Sequence, residues 1–288
     1  MKKDYVKYIV SLLMFGTNGI AASFISLSSY EIVLLRTLTG SLFLVALFFI
    51  KRQRITFLQN KRHFLFLILS GVAMGASWMF LYEAYQQIGV SIASLVYYCG
   101  PVVVMALSPL LFREKLTWIK TAGFCTVFCG LILINIQAFS EEQTSWGLFC
   151  GGMSALLYAA MVICNKKAES IAGLENAALQ LVTGFVTVAV FVGLKEGFAF
   201  QVAMADWPWV LLLGLVNTGI GCYFYFSSIG RLPIQTVAVC GYLEPLSAVA
   251  LSALFLKEEM LPLQVLGAVC IIGGAMAGEL FGRRKAQS

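Results

Sequence analysis

Ten apolar runs, each near the length that spans a bilayer, follow one another along this chain with only short polar breaks between them. A hydrocarbon core of about 30 Å takes about 20 helical residues to cross, and each segment inside it must satisfy its own backbone polar groups. Reading the breaks at charges, Gly and Pro predicts helices at 5–26, 31–50, 63–86, 90–112, 117–136, 146–165, 175–194, 207–228, 234–256 and 262–281. Of the 288 residues, 60% are hydrophobic and 12% charged, where a soluble domain carries about 25% charged residues. The expected fold class is an all-α polytopic membrane protein. A formal charge of +6 does not point to nucleic acid, because the cations sit in short loops and make no basic face.

With both termini on the cytoplasmic side, 17 of the 20 Lys and Arg residues fall in cytoplasmic segments. Lys195 and Lys257 fall outside and Arg36 lies within a helix. That bias fixes the expected orientation. Lys2-Lys3 before an apolar run, with Ala21-Ala22-Ser23 after it, has the look of a signal peptide. The segment has a counterpart in the second half of the chain, however, which assigns it to the fold.

That repeat has a constant offset of 144 residues, pairing Glu31 with Glu175, Thr39-Gly40 with Thr183-Gly184, Tyr98 with Tyr242, Pro101 with Pro245, Glu114 with Glu258 and Gly130 with Gly274. Each half holds five predicted helices, and an odd number sends the second half into the membrane from the opposite face. We expect two inverted five-helix repeats, 1–137 and 146–281, followed by a basic cytoplasmic tail at 282–288. Inverted repeats typify secondary transporters, whose substrate sites lie near the midplane at the repeat interface.

Inside the run from Ile234 to Leu256 stands Gly241-Tyr242-Leu243-Glu244-Pro245, a carboxylate beside a helix-breaker. A charge in hydrocarbon costs several kcal/mol and is by default a functional-site hypothesis. Glu244 falls about 15 Å into its helix, and its repeat partner is Gly100, so one carboxylate sits near the midplane in one half only. Two roles are open: a proton or cationic-substrate site, or a structural carboxylate bonded to backbone freed by Pro245. Arg36 and Glu83 lie at similar depth near the outer surface, which allows an ion pair, with Glu31 a more exposed competitor. The sharper role for Arg36 is anion recognition.

Gly71, Gly75, Trp78 and Tyr82 share one face of the third helix, small residues at one end and amphipathic rings at the other. Tyr98 and Tyr242 stand beside the Gly100-Pro101 and Pro245 breaks. Asn18 and Asn217 are polar groups well inside their spans, where they either join helices or contact substrate. Pro101 and Pro245 are candidate hinges. The eight cysteines lie in apolar segments without C-x-x-C spacing and read as small packing residues. The sequence has no phosphate-binding loop, no H-E-x-x-H and no G-x-S-x-G, so neither ATP hydrolysis nor an enzyme with an evident nucleophile is indicated, and no metal or cofactor is expected.

Taken together, the Arg36-Thr-Leu-Thr-Gly40 stretch, Gly100-Pro101 through Phe112-Arg-Glu114-Lys, and Leu243-Glu-Pro245 through Lys257-Glu258-Glu resemble the drug/metabolite transporter superfamily, in particular its EamA-type ten-helix members. The resemblance covers two repeats, about 8–136 and 147–280. It implies export or exchange of a small metabolite, such as an amino acid, through a central cavity in the cytoplasmic (inner) membrane. The expected function is thus secondary transport by alternating access, coupled to protons through Glu244, by a monomer whose partners are a small-molecule substrate and membrane lipids. The alternatives are an organic-anion exchanger using Arg36, a membrane-embedded enzyme, or a scaffold.

Overall fold

The computed structural model describes residues 2–114, 117–134, 145–195, 197–198, 201–256 and 262–284, and all regular structure among them is helical. The elements are α1 (Lys2–Gly16), α2 (Asn18–Ser23), α3 (Ser29–Ile50), α4 (Lys61–Tyr97), α5 (Gly100–Phe112), α6 (Trp118–Ile134), α7 (Ser145–Lys167), α8 (Gly173–Lys195), α9 (Trp207–Ile229), α10 (Ile234–Cys240), α11 (Leu243–Leu256) and α12 (Pro262–Arg284). Five segments are long and apolar enough to cross a membrane: Ser29–Ile50, Lys61–Ile88, Ser145–Lys167, Gly173–Lys195 and Trp207–Ile229. Shorter apolar helices accompany them. Large apolar side chains such as Leu42, Val190 and Leu254 point outward, as contact with lipid requires. The chain is a multi-pass membrane protein.

Each predicted span is helical, but the breaks differ from those expected. The turn expected near residues 87–89 is itself helical, so the third predicted helix and the first two turns of the fourth form the single element α4, and the fourth predicted helix is broken instead at Tyr98–Cys99, ahead of α5. The chain still reverses within it. Ser77 Oγ donates to Ser154 O at 2.9 Å, and Val96 lies against Gly151, a turn of α7 away. A straight helix would hold residues 77 and 96 about 28 Å apart.

The ninth predicted helix is broken at Gly241–Tyr242, not kinked at Pro245. Pro245 sits in the first turn of α11 and Pro101 in the first turn of α5, positions where a missing N–H leaves nothing unpaired. The prolines therefore start half-helices, and the flexible points lie two to four residues earlier. Tyr242 Oη donates to Tyr98 O at 2.9 Å, tying one break to its repeat partner. A third discontinuity, at Thr17, separates α1 from α2.

Among the packing contacts between the halves, two are repeat-related. A Cβ on Gly214 would lie 1.7 Å from Thr39 Oγ1, and one on Gly71 would lie 1.6 Å from Thr183 Oγ1. The Thr-Gly pair in each half thus packs against a glycine of the other. Four residues separate Gly214 from Thr218, where three separate Gly71 from Met74, the repeat partner of Thr218. The additional residue is absorbed by a π-helical segment, Leu212–Ile220, inside α9, the usual form of a one-residue helix insertion. α6 and α12 pair as closely: a Cβ on Gly274 would meet Gly123 O at 2.6 Å, and one on Gly130 would meet Gly267 O at 2.6 Å. Gly274 therefore packs within the chain.

Candidate functional site

The helix breaks and the π segment surround one cavity of about 380 Å³. Its walls come from α1 and α2 (Phe15, Gly16, Asn18, Gly19, Ala22), α3 (Ile32, Arg36), α4 (Met74, Trp78, Leu81, Tyr82, Tyr85, Tyr97), α7 (Tyr158, Met161), α9 (Leu213, Cys222, Tyr225, Phe226) and α11 (Glu244, Ala248), with Ser29, Ser94 and Tyr98 completing it.

Away from the cavity lining, a set of hydrogen bonds joins α1, α5, α7 and α10. Tyr8 Oη donates to Val237 O at 2.8 Å. The Glu114 carboxylate accepts from Ile234 N at 2.7 Å and Gln235 N at 3.2 Å. Gln235 Nε2 donates to Ser108 Oγ at 3.1 Å, and Lys166 Nζ donates to Leu232 O. Glu114 was expected only as a repeat marker; here it holds the start of α10. Its partner Glu258, with Lys257 and Glu259, lies outside the described residues.

Glu244 occupies the first turn of α11. Its backbone carbonyl accepts from Ser247 Oγ at 2.8 Å, but among the described residues its carboxylate accepts no hydrogen bond and forms no ion pair. The structural alternative, a carboxylate bonded to backbone freed by Pro245, is therefore not what the geometry shows. Gly100, its repeat partner, has no room for a side chain: a Cβ there would meet Tyr158 Cδ1 at 2.7 Å and Ala155 O at 2.9 Å. Packing against α7 thus accounts for the one-sided carboxylate.

Arg36 is 8% exposed. Its Nε donates to Thr218 Oγ1 at 3.0 Å and its Cζ lies 4.9 Å from the centre of the Trp78 ring. A stacked guanidinium on an indole is a fixed one, and the terminal nitrogens have no protein partner among the described residues. The pair expected with Glu83 does not form. Glu83 instead binds Lys195 and Tyr30 Oη, because α8 brings Lys195 to the end of α4. Glu31 is occupied too: it closes a capping box with Ser28 at the start of α3. Glu83 does not line the cavity. Removing this peripheral pair with Glu83→Gln is expected to cost about 1 kcal/mol or less, a small change in melting temperature by tryptophan fluorescence.

The remaining predicted residues divide into two groups. Trp78, Tyr82, Tyr98 and Asn18 line the cavity. Asn217 and Tyr242 stand behind the wall, 4% and 0% exposed. Asn217 Nδ2 donates to Thr17 Oγ1 at 2.8 Å and Asn18 Oδ1 at 2.9 Å, so it joins the π segment to the α1–α2 break. Pro101 and Pro245 are buried and lie outside the lining.

Tyr225, Phe226, Cys222 and Thr218 were not singled out from the sequence. The signal existed: adding 144 to Trp78 and Tyr82 gives Cys222 and Phe226, and adding it to Leu81 gives Tyr225. The wall predicted on one helix recurs on its repeat mate across the cavity. No group of His, Cys, Asp and Glu arranged to hold a metal occurs among the described residues.

Similarity to known proteins agrees with this architecture. A solved crystal structure superimposes with a TM-score of 0.84 over 98% of this chain and 99% of its own, at 16% identity, which speaks to the fold. An uncharacterized transporter of Bacillus subtilis (strain 168), YxxF, is 27% identical over 93% of this chain and 87% of its own length. The threonine/homoserine exporter RhtA of Escherichia coli (strain K12) is 26% identical over 88% and 82%. The profile of the EamA-like transporter family matches twice, at residues 5–136 and 145–277. A helical membrane bundle around a central cavity, covered almost end to end by two copies of that profile, makes this chain a member of the EamA-like transporter family within the drug/metabolite transporter superfamily.

Proposed function

We propose that this protein is a secondary active transporter that exports or exchanges small metabolites, amino acids among them, across the cytoplasmic membrane by alternating access. The observation that carries the proposal is the carboxylate of Glu244, without a hydrogen-bond or ion-pair partner among the described residues, on the wall of the cavity. A charge left without a protein partner inside a membrane protein is costly. It persists where something that comes and goes neutralises it, a proton or a cationic group of the solute.

In this reading ten spans form two inverted five-helix repeats, 1–137 and 146–281, with both termini and the tail from 282 in the cytoplasm, and the chain acts as a monomer. The cavity then faces outward. Rocking of the halves about the breaks at Tyr98–Cys99 and Gly241–Tyr242 opens the opposite side, with Pro101 and Pro245 limiting the flexible stretch to those residues. The exporter RhtA supports amino acids as the solute class.

The test is flux of a radiolabelled amino acid panel in proteoliposomes with and without an imposed pH difference. Flux of at least one member should be accelerated by the gradient, and transport of none under either condition would sink the reading. A second reading, exchange of organic anions, is favoured by the open guanidinium of Arg36 in the same cavity. In that case Arg36→Gln should abolish binding of simple carboxylates, measured by thermal shift, and unchanged carboxylate affinity would remove the case for it.

A further inference from the structure

Arg36 and Glu244 lie on the wall of the same cavity, from α3 of the first half and α11 of the second. They are within electrostatic reach of each other, yet no hydrogen bond or ion pair joins them. Two opposite charges on one cavity wall attract each other, the more so the less water lies between them. Arg36 is prevented from closing into contact, held by Thr218 and by the Trp78 face. The separation is therefore built in, and it leaves an anion site and a cation site at two points of one chamber. Every other described lining residue is uncharged.

We propose that the cavity binds a zwitterion at both ends simultaneously, a carboxylate on the terminal nitrogens of Arg36 and an ammonium on Glu244, with an uncharged side chain directed at the aromatic and methionine wall. The inference rests on the transport reading of this cavity. A ligand carrying both charges neutralises both protein groups at once, whereas an amine or a carboxylate alone leaves one buried charge unpaired. Leaving a charged site unpaired is what gives polar recognition its discrimination. The volume of about 380 Å³ equals the space of about a dozen waters, enough for one amino acid. Recognition by the backbone charges of an amino acid also gives Glu244 two roles in turn, because the arriving ammonium displaces whatever proton neutralises the carboxylate in the empty carrier.

The experiment uses purified full-length protein in detergent and follows melting with L-threonine, L-leucine and L-phenylalanine. Each is also offered as its methyl ester, which keeps only the ammonium, and as its N-acetyl derivative, which keeps only the carboxylate. A ligand bound by the native state raises apparent stability. For at least one side chain the free amino acid should half-saturate at a concentration at least about tenfold below either capped form, a difference of about 1.4 kcal/mol. In Arg36→Gln the ester should bind as well as the free amino acid; in Glu244→Gln the N-acetyl form should.

The wild-type comparison alone decides the proposal. Capped forms that bind as tightly as the free amino acid, or three sets that produce no shift at all, overturn it. Exchanged effects in the two variants overturn the assignment of the ends. If a capped form is carried in proteoliposomes as well as the free amino acid, the two-charge site falls while the transporter reading stands; absence of flux for every solute removes both.

Discussion

Glu244→Gln is expected to abolish acceleration of transport by a pH difference while leaving the protein folded. The two side chains have the same shape, so the substitution removes a charge and a titratable proton and little else. The Glu244 carboxylate accepts no hydrogen bond among the described residues, and its backbone bonds, from Ser247 Oγ to its carbonyl and from its N–H to Gly241 O, are kept. Among the described residues no hydrogen bond or ion pair is lost, only the attraction to Arg36 across the cavity, and an unpaired charge leaves a site where charge is costly. The melting temperature should hold or rise.

Function should behave in the opposite sense. Gradient-driven flux should fall at least about a hundredfold, which corresponds to about 2.7 kcal/mol, to the level of protein-free vesicles. Glu244→Asp, which keeps the charge one methylene further back, should retain gradient dependence at reduced rate. Unchanged pH-dependent flux in Glu244→Gln would falsify the coupling role, and a fall in melting temperature with flux intact would restore the structural role in its place.

How much of this was legible beforehand depends on the kind of interaction. Helix positions were readable because hydrocarbon leaves a chain few options, and every predicted span is helical over most of its length. The breaks were harder. Pro245 and Pro101 were natural places for a kink, but proline costs least in a first turn, so the chain breaks ahead of each and the proline opens the next helix. Nothing in the composition of Leu212–Ile220 announces a π segment. It becomes visible only on comparing the spacing of Gly71 and Met74 with that of Gly214 and Thr218.

Among the residues that line the cavity, Glu244, Trp78, Tyr82, Tyr98, Asn18 and Arg36 are legible from chemistry alone, because a polar or amphipathic group deep in a span must face something other than lipid. Partners were not found by the same route. Depth along a helix cannot say which helix is next to it, and so Glu83 was matched to Arg36 when Lys195 on α8 holds it. Asn217 and Tyr242 show the same limit: each is a polar group inside a span, and each is spent on a neighbouring helix.

The largest structural effect is expected at Gly214, where α3 and α9 approach most closely beside Arg36. Gly214→Ala would place a Cβ 1.7 Å from Thr39 Oγ1 and 2.8 Å from Thr39 Cβ. A hydroxyl at the tip of a side chain can rotate away, but a Cβ is fixed to its backbone. Thr39 Oγ1 is also engaged, donating to Leu35 O at 2.7 Å. The helices must separate, and overpacking of this kind costs about 1–3 kcal/mol. Separation also draws Thr218 away from Arg36 Nε, so ligand binding should weaken together with stability.

Gly152 provides the contrast: nothing lies within 4 Å of a Cβ built there, and Gly152→Ala should be neutral or stabilising by up to about 1 kcal/mol, since alanine favours helix. The decisive variant is the double one. Thr39→Gly removes the atoms that Gly214→Ala collides with, so Thr39→Gly with Gly214→Ala should be more stable than the sum of the two single changes predicts, a coupling of about 1 kcal/mol or more in a double-mutant cycle. Additive losses would mean that the two helices do not meet at this pair. Because the Thr183 and Gly71 contact repeats the same geometry between α8 and α4, Gly71→Ala with Thr183→Gly should show the same coupling, and loss of coupling at one pair with coupling kept at the other would mean that the repeat-related contacts are not equivalent.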